Sequence, residues 1–77
     1  MTDNQKWMLD SGFCDRMREA REKCGMTQHA ASQKLETVLE YVHKVENGKT
    51  CPSIARVFEM AELYGVSIDW LCGRETA

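Results

Sequence analysis

Four cysteines and two histidines are the side chains of this 77-residue sequence best suited to metal, redox or nucleophilic chemistry. Their spacing argues against each use. Cys14, Cys24, Cys51 and Cys72 contain no C-x-x-C pair, and with only His29 and His43 beside them the usual zinc ligand sets are missing. No serine or cysteine comes with an identifiable histidine and acid to activate it, no glycine-rich phosphate loop is present, and the chain is short for walling a deep pocket. The expectation is therefore a protein that is not an enzyme, with no metal and no cofactor. A lone histidine on a helix is read as a surface residue. The cysteine count is even, but no apolar signal segment accompanies it, and Trp7-Met8-Leu9 is too short for a signal core or a membrane span. Reduced thiols in a cytoplasmic protein follow, with Cys14 and Cys24 serving as small apolar helix residues.

The charged side chains are the remaining candidates. Ten basic and twelve acidic residues give a net charge of −2. Residues 1–26 carry five of each sign, residues 27–50 three of each, and residues 51–77 two basic against four acidic. No segment is basic on its own, whereas a nucleic-acid binder normally replaces phosphate counterions with a cationic surface.

Hydrophobic spacing shows what must hold these groups. Phe13, Met17, Ala20, Arg21 and Cys24 recur at helical steps, after a cap at Ser11 and before a stop at Gly25. Thr27 caps a second helix from Gln28 to about Leu35. Thr37 and Glu40 have the spacing of a reciprocal capping box, which predicts a third helix beginning near Val38, with Val38, Leu39, Val42 and Val45 as its apolar positions and Gly48 as its end. Pro52 and Ser53 open a fourth helix on which Ile54, Val57, Phe58, Ala61 and Leu63 form a broad apolar stripe closed by Gly65. Ser67 caps a short fifth helix, where Ile68, Trp70 and Leu71 seal the core before Gly73. This is an all-α, compact five-helix domain over 13–73, preceded by a polar N-terminal arm (1–12) and followed by a tail (74–77).

Three segments in this order, R-E-K-C-G-M-T-Q at 21–28, V-E-N-G-K-T-C-P at 45–52 and A-E-L-Y-G-V-S-I-D-W-L at 61–71, make the chain resemble the lambda-repressor/Cro-like (Xre-type) helix-turn-helix family. The resemblance implies that the second and third helices dock as a unit, with the third in the DNA major groove. Carried over by position, the base-facing residues are Val38, Leu39, Glu40, Tyr41, His43 and Lys44. Gln28, Asn47 and Lys49 are placed against phosphate. Arg21 and Glu46 are placed as a partly buried ion pair between the first and third helices. The implied function is a small, sequence-specific DNA-binding repressor of phage Cro or controller type, acting as a homodimer on a palindromic double-stranded operator. The fifth helix and tail are the expected dimer surface.

The sequence departs from the family pattern in two places. Glu36 follows Leu35 where a glycine would favour a left-handed backbone. Leu39 and Glu40 stand where polar or basic side chains are usual. Leucine can touch a thymine methyl and glutamate can accept from cytosine N4, although the capping box gives Glu40 a local role as well. Val42 and Val45 pointing inward leave Tyr41 and His43 outside. With Leu39, those two rings also suit a protein partner bound through the third helix, as in an antitoxin or antirepressor, with or without operator binding.

Overall fold

In the computed structural model, residues 2–74 are described. Among the described residues six helices follow one another: α1 (Asp3–Asp10), α2 (Phe13–Lys23), α3 (Gln28–Lys34), α4 (Tyr41–Glu46), α5 (Ile54–Tyr64) and α6 (Ile68–Leu71). The sequence predicts five of them. The sixth, α1, lies within the arm assigned to residues 1–12, and its start is fixed by a capping box of its own: the Thr2 hydroxyl accepts from the Gln5 amide at 3.2 Å, while the Gln5 side chain accepts from the Thr2 amide at 2.9 Å. Apolar period gives no warning of α1, because its apolar residues Trp7, Met8 and Leu9 are consecutive.

The core forms around α2, which packs on α1, α4 and α6. Phe13, Cys14, Met17, Ala20 and Arg21 are its buried stripe, as the three- and four-residue spacing requires. Met8 from α1, Ala31 from α3, Leu35 just after it, Val42 and Val45 from α4, Val57, Met60, Ala61 and Tyr64 from α5 and Leu71 from α6 fill the rest. The Cys14 thiol donates to the Val45 carbonyl at 3.3 Å, and burial raises its pKa, so this thiol is a packed donor rather than a nucleophile.

Two features of the predicted core change. Val57, Met60, Ala61 and Tyr64 form the buried face of α5, and this rotation leaves Ile54 and Phe58 on its flank, 66% and 58% exposed. Trp70 is half-buried at the core edge, packed against it, while its neighbour Leu71 is fully enclosed. Residues 75–77, most of the predicted tail, lie outside the described residues.

Candidate nucleic-acid interface

Helices α3 and α4 are joined by a six-residue connection, and the way α3 ends determines where α4 can start. The Thr37 amide donates to the Ser32 carbonyl and the Glu36 amide to the Gln33 carbonyl, both at 3.0 Å, a bond pair that requires a left-handed residue at position 36. Glu36 adopts it, with φ of 58°. The backbone thus keeps the turn that a glycine would favour, although its side chain makes that conformation costly by about 1–2 kcal/mol.

The predicted capping box does not form. The Thr37 hydroxyl turns back to the Ser32 carbonyl at 3.1 Å and shares its proton with the Val38 carbonyl, and α4 begins three residues later, at Tyr41. Glu40 precedes it in a helical conformation without a side-chain cap. What satisfies the start of α4 comes from α3: the fully buried Ser32 hydroxyl accepts from the Val42 amide at 3.2 Å. The consequence for the surface is direct. Val38, Leu39 and Glu40 are all exposed, Val38 by 67% and Leu39 by 42%, and the Glu40 carboxylate is not spent on a cap.

The other end of α4 is held from behind. Arg21 grips the Glu46 carboxylate with both Nε, 2.7 Å from Oε2, and Nη2, 3.0 Å from Oε1. This is the ion pair implied by the resemblance, and at 2% exposure Glu46 is more deeply buried than that reading proposed. Arg21 also donates to the Met26 carbonyl, and its hydrogen bonds to Glu46 raise its pKa, so it is charged throughout. Arg18 adds a bond to the Glu46 carbonyl at 3.2 Å. Tyr64 packs nearby with no hydrogen-bond partner for its hydroxyl among the described residues, and burial together with the Glu46 charge pushes its pKa up to about 12.

From this pair a chain of polar contacts runs outward. Gln28 Nε2 donates to Glu46 Oε1 at 3.0 Å, and its Oε1 lies 3.3 Å from His43 Nδ1. Asn47 Nδ2 donates to the His43 carbonyl at 2.7 Å and stands 3.4 Å from the same ring nitrogen. Three residues assigned separately as phosphate or base contacts, Gln28, His43 and Asn47, therefore form one connected group. Lys44 and Lys49 are exposed beside it, with no acidic partner within ion-pair distance among the described residues. Tyr41 is placed differently from the expectation that it points outward. Its ring is half-buried against the core, beneath the Arg56 guanidinium at 5.7 Å, and burial raises its pKa. Arg56 also donates to the Leu35 carbonyl at 2.8 Å, which ties α5 to the turn ahead of α4.

Sequence reasoning did not find two of the groups that hold this surface, Ser32 and α1. Ser32 reads as an ordinary helix residue until its packing partner is known. From α1, Gln5 Nε2 donates to the Lys49 carbonyl at 3.2 Å, and Leu9 covers Gly48 so closely that a Cβ there would lie 2.8 Å from Leu9 Cδ2.

Two helices docked around a tight left-handed turn, the second exposed along its leading edge and anchored by a buried ion pair at its end, define a helix-turn-helix unit. The chain belongs to the helix-turn-helix family of lambda-repressor/Cro (Xre) type, whose model matches residues 17–71. It is similar to the HTH-type transcriptional regulator ImmR of Bacillus subtilis (strain 168), with 33% identity over 60 residues. That alignment covers 78% of this chain and 47% of ImmR, so the chain spans about half the length of this curated relative. No solved structure matches the chain. Among the described residues, no helix is long and apolar enough to cross a membrane.

Proposed function

We propose that the protein is a DNA-binding transcriptional regulator of the Cro or controller type, working in the cytoplasm as a homodimer on a palindromic operator. The observation that carries this reading is the exposed edge of α4 with its preceding turn, offered outward by a scaffold that grips the helix only from behind. Val38 and Leu39 meet thymine methyl groups, Glu40 and His43 meet base edges, and Asn47 and Lys49 meet phosphate together with Lys44, which the family resemblance alone places at base edges. Tyr41 supports the helix from within. Gln28, already engaged by Glu46 and His43, aligns the contact residues at the phosphate side. Net charge leaves little general attraction to DNA, so affinity rests on these local cations and on apolar fit.

The dimer follows from size. One short helix reads a few base pairs, and at roughly 1–3 kcal/mol per correct pair a single copy is poorly distinguished from competing genomic sites. The exposed Ile54 and Phe58 of α5, beside α6, are the surface assigned to the second copy.

Selection from a pool of random duplexes, at low and at physiological salt, tests the reading. A palindromic motif that survives physiological salt is the expected result, and Lys44→Ala or Lys49→Ala each flattens the salt dependence by about one unit of slope. Unchanged binding in both variants would refute the phosphate assignments. A protein partner is the second reading, favoured by the exposure of Val38 and Leu39 on a face with few cations. It is adopted if the chain enriches no duplex even at low salt and Leu39→Ala abolishes a complex with a protein.

A further inference from the structure

Resting on the DNA-binding reading above, we infer that Gln28 fixes the tautomer of His43, so that α4 presents a hydrogen-bond acceptor to the major groove and selects the exocyclic amino group of adenine or cytosine. The argument starts from Glu46. With both carboxylate oxygens engaged by Arg21, this group only accepts, so the face of the Gln28 amide turned toward it must be the NH2, as the 3.0 Å bond from Nε2 requires. Gln28 Oε1 is then the atom left facing His43 Nδ1 at 3.3 Å. An oxygen acceptor there is satisfied only if Nδ1 carries the ring proton.

Asn47 makes the competing contact. Its Nδ2, 3.4 Å from Nδ1, favours the opposite tautomer, but this amide already donates to the His43 carbonyl at 2.7 Å and belongs to an exposed side chain free to adjust. Gln28 is partly buried and held at its other end. The neutral ring therefore holds its proton on Nδ1, and Nε2, on the opposite edge of an exposed side chain, is an unprotonated acceptor.

The same logic reaches the neighbours. Asn47 directs one N–H at a backbone carbonyl and keeps the other for phosphate, while the Glu40 carboxylate, which makes no cap, accepts. The polar reading edge of α4 is made of acceptors. In the major groove their complements are adenine N6–H2 and cytosine N4–H2, whereas guanine O6 and N7 would be met acceptor to acceptor. Gln28 acts as a positioning residue, and His43 determines specificity.

Two measurements test this. The first needs no DNA: nitrogen-15 spectra of the histidine-labelled full chain at neutral pH. Protonated Nδ1 and unprotonated Nε2 for His43, with a shift toward protonated Nε2 in Gln28→Leu, are expected. A parent ring already protonated on Nε2 overturns the inference whatever the DNA result.

The second uses the selected duplex at the base pair whose preference is lost in His43→Ala. Replacing adenine by purine, or cytosine by 2-pyrimidinone, deletes only the amino group and is expected to weaken the parent about tenfold. Neither His43→Ala nor Gln28→Leu should respond to that deletion. Loss of affinity on replacing a purine by its 7-deaza analogue, with no response to loss of the amino group, overturns the acceptor assignment while leaving the regulator reading standing. Failure to select any duplex refutes the regulator reading instead, and the tautomer is still decided by the spectra.

Discussion

The two turns that flank α4 use the same backbone hydrogen bonds and are held in opposite ways. After α4, the Gly48 and Lys49 amides donate to the Val45 and Lys44 carbonyls at 3.1 and 2.9 Å, repeating the bond pair of Glu36 and Thr37 ahead of it. The trailing turn has a glycine at φ of 70°, a buried ion pair two residues back and α1 laid across it. The leading turn has glutamate at φ of 58°, exposed apolar side chains and a shared threonine proton. The difference shows how each end of this helix is fixed: packing and charge secure its C-terminal end from behind, while the leading end rests on the Ser32 and Arg56 bonds and leaves Val38, Leu39 and Glu40 outside.

The comparison can be broken most severely at Glu46. Glu46→Ala leaves Arg21 buried without its partner and is expected to cost about 3–5 kcal/mol, read as a lower midpoint in urea unfolding. A loss below about 1 kcal/mol would mean that the pair is not the anchor. Gly48→Ala is milder. The Leu9 side chain can swing away from a new Cβ, so the cost is that of a left-handed alanine, about 1–2 kcal/mol, measured as a depressed Tm. Glu36→Gly sharpens the contrast by making the two turns alike. It is expected to stabilise the fold by about 0.5–1 kcal/mol, strain relief less the added freedom of the unfolded chain. A destabilised Glu36→Gly variant would show that the glutamate side chain supports the turn.

Much of this was legible in the residues. Thr27, Ser53 and Ser67 cap the helices assigned to them, and the Arg21–Glu46 pair follows from the family resemblance. Most of what spacing does not show has one cause: bonds whose donor or acceptor lies on another element. Ser32 is a cap in space rather than in sequence, and once it serves Val42, the box between Thr37 and Glu40 has no task. The period of its neighbours allows Tyr41 to lie outside, but Arg56 and the core give its ring a partly buried place that no local pattern encodes. For α1 the signal is local, a threonine and a glutamine three residues apart, but no apolar period follows it. The links from Gln28 to Glu46 and His43 have no signature in spacing, since eighteen residues separate Gln28 from Glu46, whereas His43 and Asn47 stand four apart, one helical turn.

The paired carbonyl bonds that end α3 and α4 also close α2, α5 and α6. Five helices therefore stop on instructions contained within a few residues, and three of the packed pairs, α1 with α2, α3 with α4 and α5 with α6, are neighbours along the chain. In kinetic terms this is a domain of short loop closures, which belongs with helical proteins that fold in microseconds to milliseconds. The Arg21–Glu46 bridge, spanning 25 residues, is among the contacts that must wait for the rest, so a variant lacking it should lose stability mainly through faster unfolding.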